Sequence, residues 1–347
     1  MTNPAPSGSG RPTAGPPLPS RPPVTGTSVD LLAVGQLFLD VLYGPLPAAP
    51  VLGQECFTEQ VRLVPGGIAN FAAAAAALGA RTGITARIGD GPVSALVTRL
   101  LAEAGIGTER LLVDSGTDLQ VTSAISYDGD RALVTGGAPP RPGLGVDGSD
   151  PGVGAIALHL EPGDMPWLAS STAPIFADVG WDATGAWDPA ILRHLQHCHG
   201  FLPNAEEAQA YTRTDSPRAA ARRLAELVPL AVVTCGADGA LAIDSARGLE
   251  VRSRVPDLGP MDPTGAGDTF GAALITLLGR GLPLAEALEA SCLAATARGA
   301  GTFGHAVTPS PSQLAALARR HDLACAAPLE DLLVDPPSPS TSAPPGS

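Results

Sequence analysis

The chain has 347 residues, with 34 acidic and 21 basic side chains and a formal charge of −13 at pH 7. All 21 basic residues are arginine, which excludes the usual P-loop NTPase, protein-kinase and Schiff-base mechanisms, each of which needs a lysine. The acidic balance speaks against a nucleic-acid partner. The longest apolar-looking stretch, Ala69 to Ala80, falls short of the roughly 20 residues that cross a bilayer, so no membrane partner is expected.

Residues 1–28 are Pro, Gly, Ser and Thr with almost no large apolar side chain, and residues 328–347 end in a similar run. Such composition cannot bury enough surface to offset ordering entropy, so both ends are expected to be disordered tails around a folded body at 29–327. Within the second tail, Leu329 to Val334 form an apolar patch able to dock. No charged and then apolar leader opens the chain. The five cysteines, Cys56, Cys198, Cys235, Cys292 and Cys325, form no CxxC pair. Reduced, mostly buried thiols and a cytoplasmic location are expected.

In the body, strand and helix signals alternate. Asp30–Gly35 reads as a buried strand, Ala69–Leu78 as an Ala-rich helix, Thr82–Ile88 as a strand and Pro92–Ala104 as a helix. Ala155–Leu160 and Pro174–Val179 read as strands, Asp188–Leu195 as a helix and Gly200–Leu202 as a short strand. Asn204 is a helix N-cap, and Leu230–Thr234 is another buried strand. This alternation implies parallel strands joined by right-handed crossovers. Two segments alternate with period two instead, one at 55–64 and one at 118–135 around Asp128-Gly129. Strands within about 37–64 and 118–135 are expected to form a small lid.

The chemistry concentrates at Asp262-Pro263-Thr264-Gly265-Ala266-Gly267-Asp268, directly before the apolar helix Phe270–Leu278. Glycines at a helix start let backbone N–H groups approach an anion, and the helix dipole adds to the attraction. An Asp there stabilises the dipole by up to about 1 kcal/mol, but this alone does not explain the two glycines, the Thr-Gly turn and Asp262 together. A dinucleotide-binding turn would need a second strand ending in an acid about 20 residues on; a second helix, Leu284–Thr296, follows instead. A carboxylate beside a bound anion makes sense if it takes a proton from the group attacking that anion.

Asp262–Asp268 resembles the D-T-x-G-A-G-D signature of the ribokinase-like (PfkB) family, with Pro263 where Thr is usual. Three further stretches agree in chain order: Pro65-Gly66-Gly67-Ile68-Ala69-Asn70, Asn204-Ala205-Glu206-Glu207, and Val232 to Ala240. The resemblance spans roughly residues 30–320. It implies a three-layer α/β/α sandwich with a mostly parallel central sheet and a β-lid. It implies ATP and Mg²⁺, and γ-phosphoryl transfer to a hydroxyl of a sugar-like acceptor.

Carried over by position, Asp268 would be the general base, and Gly265, Ala266 and Gly267 the anion hole. Asn204, Thr234, Gly236 and Gly239 would border ATP, and Glu207 would act on Mg²⁺ through water. Asp40, Gly66, Gly67 and Asn70 would contact the acceptor. Asp262 and Thr264 match positions that hold a monovalent cation such as K⁺ in some members. Two residues, Ile68 and Ala69, stand between Gly67 and Asn70 where the family usually has three, and the lysine of ribokinases is absent there.

The acceptor stays open between a sugar and a nucleoside. Tyr127 and Phe57 are the lid aromatics able to stack on a base. A non-catalytic sugar-binding regulator of the same fold is the alternative from another class, and a homodimer through lid strands is compatible with the pattern. His194, His197, Cys198 and His199 cluster at a helix end, where a solvated end is expected rather than a metal site. Asp178, Trp181, Asp182 and Trp187 follow a strand's C-terminal end, the edge at which open α/β sheets bind ligands. Simple loop packing is the competing reading for the two tryptophans.

Overall fold

In the computed structural model, residues 28–334 are described, apart from 128–129, 140, 142, 145, 147–149, 151, 181, 183 and 304–305. In chain order, β1 (Val29–Val34), β2 (Leu37–Leu46) and β3 (Val61–Gly67) precede α1 (Ile68–Ala77). Then come β4 (Thr82–Thr85), β5 (Arg87–Gly89), α2 (Pro92–Glu103), β6 (Leu112–Asp114), β7 (Val121–Tyr127) and β8 (Asp130–Gly136). Next are β9 (Val153–His159), β10 (Ile175–Asp178), β11 (Gly200–Phe201), α3 (Ala205–Thr212) and α4 (Pro217–Leu224). The chain continues through β12 (Leu230–Thr234), β13 (Ala240–Asp244), β14 (Leu249–Ser253), α5 (Ala266–Gly279), α6 (Leu284–Gly299), α7 (Pro311–Arg320) and α8 (Ala326–Val334).

The main sheet has eight strands in the order β14-β13-β12-β11-β10-β9-β1-β4. From β12 to β4 all pairings are parallel; β13 and β14 close the far edge as an antiparallel hairpin. Strand β1 shows why the layers form. Its apolar run is buried on both faces: Leu31 and Ala33 pack with α1, α2, α5, α6 and α7, while Leu32 and Val34 pack with α3 and α4 on the other side. A continuous apolar strand of this kind suits a sheet covered by helices on both faces. The result is the expected three-layer α/β/α sandwich.

Strand order reverses between β1 and β9. After β1 the next strand in the main sheet, β4, lies on one side, and β9 begins the run on the other. Crevices outside the carboxyl ends at such a reversal are where open sheets bind ligands. Gly35 follows β1 at that point, and a Cβ there would lie 3.0 Å from Ile68 Cβ and 3.2 Å from His159 Cβ. The lid is a separate four-stranded sheet, β3-β2-β7-β8. In it Asp40 lies opposite Val64 on one side and Thr122 on the other.

Several boundaries differ from expectation. The strand expected at 82–88 is two strands in different sheets, because the chain leaves β1's side at Ala86 and pairs β5 with β6. The period-two segment at 55–64 is strand only from Val61, where pairing to Tyr43 begins. The helix expected at 188–195 is a 3-10 helix, Pro189–His197, capped by Asp188. The expected tail boundary at 327 falls inside α8, whose Leu329 is buried; the docking patch is this helix. Residues 1–27 and 335–347 of the expected tails, and the Asp128-Gly129 turn, lie outside the described residues.

Candidate active site

Gly265 is the N-cap of α5 and has φ +67°, a conformation glycine adopts at no steric cost. Ala266, Gly267 and Asp268 form the first turn, where N–H groups have no acceptor within the helix. Ala266 N–H turns back to the Pro263 carbonyl at 3.0 Å, so it is already engaged within the turn. A Cβ at Gly267 would meet nothing within 4 Å. No protein contact demands glycine there, and the open space suits close approach by a ligand.

Asp268 projects from this turn, and its Oδ1 lies 3.5 Å from His159 Nε2 at the end of β9. Two more carboxyls share the neighbourhood. Asp178 ends β10, and burial, with Glu207 and Asp268 close by, pushes its carboxyl well above the usual carboxylate range. Glu207 is also raised by burial, although its helix cap opposes this. That cap is reciprocal: Asn204 Oδ1 accepts from Glu207 N–H at 3.0 Å, and Glu207 Oε2 accepts from Asn204 N–H at 2.9 Å. Side chains from β9, β10, α3 and α5 thus converge outside the carboxyl ends of the sheet, although among the described residues no three His, Cys, Asp or Glu groups could hold a metal ion by themselves.

Asn204 also stands beside Thr234, whose N–H donates to the Pro203 carbonyl at 3.1 Å. Gly236 has φ +56° with open space where a Cβ would be. Gly239 has a different reason: a Cβ there would lie 2.0 Å from the Ser253 carbonyl oxygen, so close approach to β14 already demands glycine.

The residues expected to contact an acceptor, Asp40, Gly66, Gly67 and Asn70, lie where the four-stranded sheet meets the body. Gly66 is glycine because a Cβ would lie 2.4 Å from both Asp40 Oδ2 and Phe38 Cε2. Gly67 has φ +67°, and its Cβ would lie 2.3 Å from the Gln36 carbonyl oxygen. Asn70 sits in the first turn of α1 beside Phe71, and Phe71 packs against α5, where a Cβ at Gly271 would lie 2.7 Å from its ring. That contact brings the starts of α1 and α5 together, with Asn70 on one and Asp268 on the other.

Three contributors do not show in the motif. Phe38 lies on the same strand face as Asp40; period-two spacing could have linked them. His159 and Arg298 come from distant elements. Arg298, near the end of α6, donates through Nη1 to the Thr264 carbonyl. Its guanidinium lies against Gly265, where a Cβ would be 2.8 Å from Nη2 and 2.9 Å from Nη1. Burial lowers its pKa from the ordinary value, the Asp268 and Asp262 carboxylates oppose this, and Arg62 on β3 adds to it. Asp262 Oδ1 accepts from Thr264 N–H at 2.9 Å and from Thr264 Oγ1–H at 2.6 Å.

The other clusters are structural. His194 is buried, not solvated, with Nε2 2.8 Å from the Gly163 carbonyl, while His199 meets Phe176 edge-on. Asp182 Oδ2 accepts from Trp187 N–H at 2.7 Å, and Trp187 packs edge-on against Tyr211 with ring centroids 5.3 Å apart. Trp181 lies outside the described residues. Cys198, Cys292 and Cys325 are buried free thiols and Cys56 is exposed. Among the described residues no helix is long and apolar enough to cross a membrane.

Residues 166–300, which contain the β10 end, the Asn204 cap and the Asp268 turn, match the model of the pfkB family carbohydrate kinases. The fold is ribokinase-like. Arabidopsis thaliana ribokinase, solved with ribose and ATP, superposes with a TM-score of 0.69 at 20% identity, over 84% of this chain and 99% of that one. The Methanocaldococcus jannaschii nucleoside kinase superposes with a TM-score of 0.66 at 17% identity, over 85% and 100%. In sequence the chain is 26% identical over 298 residues to the bifunctional protein HldE of Citrifermentans bemidjiense, covering 75% of this chain. It spans 58% of that curated relative's length. The ribokinase-like body thus accounts for the sandwich, the lid and the motif order together.

Proposed function

We propose that this ribokinase-like chain is an ATP-dependent small-molecule kinase that transfers the γ-phosphoryl group to a hydroxyl of a sugar or sugar-like acceptor. The observation that carries this reading is the placement of Asp268 at a glycine-opened helix start facing open space, at the sheet's order reversal. Asp268 takes the acceptor's hydroxyl proton as the new O–P bond forms and the bond to the ADP oxygen breaks. N–H groups of Gly265 and Gly267, with a smaller share from Ala266, receive charge on the transferred group. Such transfer is mainly positioning and charge stabilisation, so lysine is dispensable.

Asn204 and Glu207 would hold Mg²⁺ through water, and the ion would supply charge neutralisation for the phosphates of ATP. Magnesium keeps several waters and uses few protein ligands, which suits Asn204 and Glu207 acting through water. Thr234 and Gly236 border the nucleotide, with Gly239 shaping their turn. Asp40, Gly66, Gly67 and Asn70 form the acceptor side, and lid closure excludes water.

The lid's register sets the two expected stacking aromatics apart from Asp40. Tyr127 lies opposite Leu46 whereas Thr122 lies opposite Asp40, which puts the Tyr127 backbone about 17 Å along the strand from the Thr122 position. Phe57 is 81% exposed outside the strands. The aromatic ring beside Asp40 is Phe38, so a nucleoside stays the alternative acceptor. A homodimer through the lid and a cytoplasmic location belong to the same proposal.

The test is ADP release from Mg-ATP against free sugars, sugar phosphates and nucleosides. Turnover on a sugar-type acceptor is expected. Ligand-induced stabilisation without turnover on any acceptor would support the binding-regulator alternative instead.

A further inference from the structure

The turn that begins at Asp262 carries a main-chain oxygen suited in chemistry to a monovalent cation, the Thr264 carbonyl. That oxygen already has a cation on it. Arg298 Nη1 donates to it, and the same guanidinium is packed against Gly265, leaving 2.8–3.0 Å between its Nη2, Nη1 and Cζ atoms and a Cβ position on that residue. The nearby Asp262 side chain is engaged too, its Oδ1 accepting two bonds from Thr264. A potassium ion on the Thr264 carbonyl would have to displace the guanidinium that donates to that oxygen and lies against Gly265, so the residues present do not fit a monovalent cation there.

We propose that Arg298 is the resident counter-cation of this turn: it holds the Thr264–Gly265 backbone in the conformation that opens α5, and the site works without K⁺ or Na⁺. An arginine suits the role because its charge is permanent and its planar fork can serve a carbonyl while stacking flat against a glycine. Gly265 is then doubly constrained. Its φ of +67° favours glycine, and a Cβ there would make the Arg298 guanidinium shift off the turn. In a chain without lysine, arginine is the only permanently charged side-chain cation available. Arg298 is a positioning residue, since it acts on the donors of the turn rather than on the acceptor.

The proposal rests on the kinase reading for its catalytic meaning, but its test does not. Thermal stability and ATP affinity of the full chain are measured in K⁺, in Na⁺ and in N-methylglucamine at equal ionic strength. Wild-type protein is expected to show the same Tm and ATP Kd in all three. A K⁺-specific rise in Tm, or ATP binding tightened severalfold by K⁺ alone, would overturn the proposal. The second arm is Arg298→Ala, with Arg298→Lys beside it. The Ala variant is expected to weaken ATP at least tenfold in N-methylglucamine and to recover part of that loss in K⁺ or added guanidinium ion, and Lys to fall between Ala and wild type. An Ala variant that binds ATP like wild type in N-methylglucamine would also overturn it. If Arg298→Ala does not fold, the wild-type comparison alone decides. Absence of turnover on every acceptor would sink the kinase reading while leaving the Tm comparison readable.

Discussion

His159 Nε2 lies 3.5 Å from Asp268 Oδ1, joining the end of β9 to the first turn of α5. The contact places an imidazole beside the carboxylate proposed as general base. At 3.5 Å the contact is an ion-pair distance, longer than a good hydrogen bond, and such partly solvated pairs contribute about 0.2–1 kcal/mol, where about 1.4 kcal/mol is tenfold in rate. His159→Ala is therefore expected to lower kcat by up to about fivefold while the ATP Kd stays within about twofold. Steady-state kinetics with ATP titration check this. Unchanged kcat would show that the contact does not position Asp268.

The two lid glycines make separable predictions. At Gly66 a new Cβ meets the ends of two side chains, Asp40 and Phe38. Those can move, so Gly66→Ala is expected to fold and to raise the acceptor KM about tenfold by displacing Asp40. At Gly67 the Cβ meets the Gln36 backbone and φ is +67°, which cannot be relieved locally. Strain of this kind costs of order 1–3 kcal/mol, so Gly67→Ala is expected to lower Tm by several degrees. The pair is measured by thermal melts and acceptor titrations. Equal loss of Tm in both would contradict the distinction.

Asp178 and Glu207 have pKa values raised by burial. A carboxyl raised in the folded state stabilises it fully only below the unfolded value, near pH 4, and that contribution is lost as pH rises through the folded value. The ligand-free protein should therefore lose stability as pH rises from about 4 through the folded values. Asp178→Asn removes the ionising group, so its Tm advantage over wild type should be larger at pH 8 than at pH 5, by about 2 °C or more. Melts of both proteins at the two pH values decide it. An advantage that is the same at both would mean Asp178 is not held neutral.

The layers and the lid were legible because they rest on local periodicity. Buried runs such as Leu31–Val34 and alternating runs such as Val121–Tyr127 carry their environment in their own spacing. Pairing partners were not legible: nothing in 82–88 says that β5 leaves the main sheet, and the β13–β14 hairpin was not read. The site divides the same way. Asp268 and the glycines sit in one contiguous turn and were found from it. Asn204 announced itself as a cap, although its exchange with Glu207 appears only in the fold. His159 and Arg298 lie 109 and 30 residues from Asp268, and no spacing marks one arginine among 21 as the one beneath Gly265.

The central claim is that Asp268 removes the acceptor's proton. The measurement that tests it most directly is kcat of Asp268→Asn on the acceptor found by the panel, with the ATP Kd measured alongside. A positioned base contributes 10²- to 10⁴-fold, so kcat should fall by about that factor while ATP binds within about threefold of wild type. An Asn variant turning over at a rate near wild type would contradict the account.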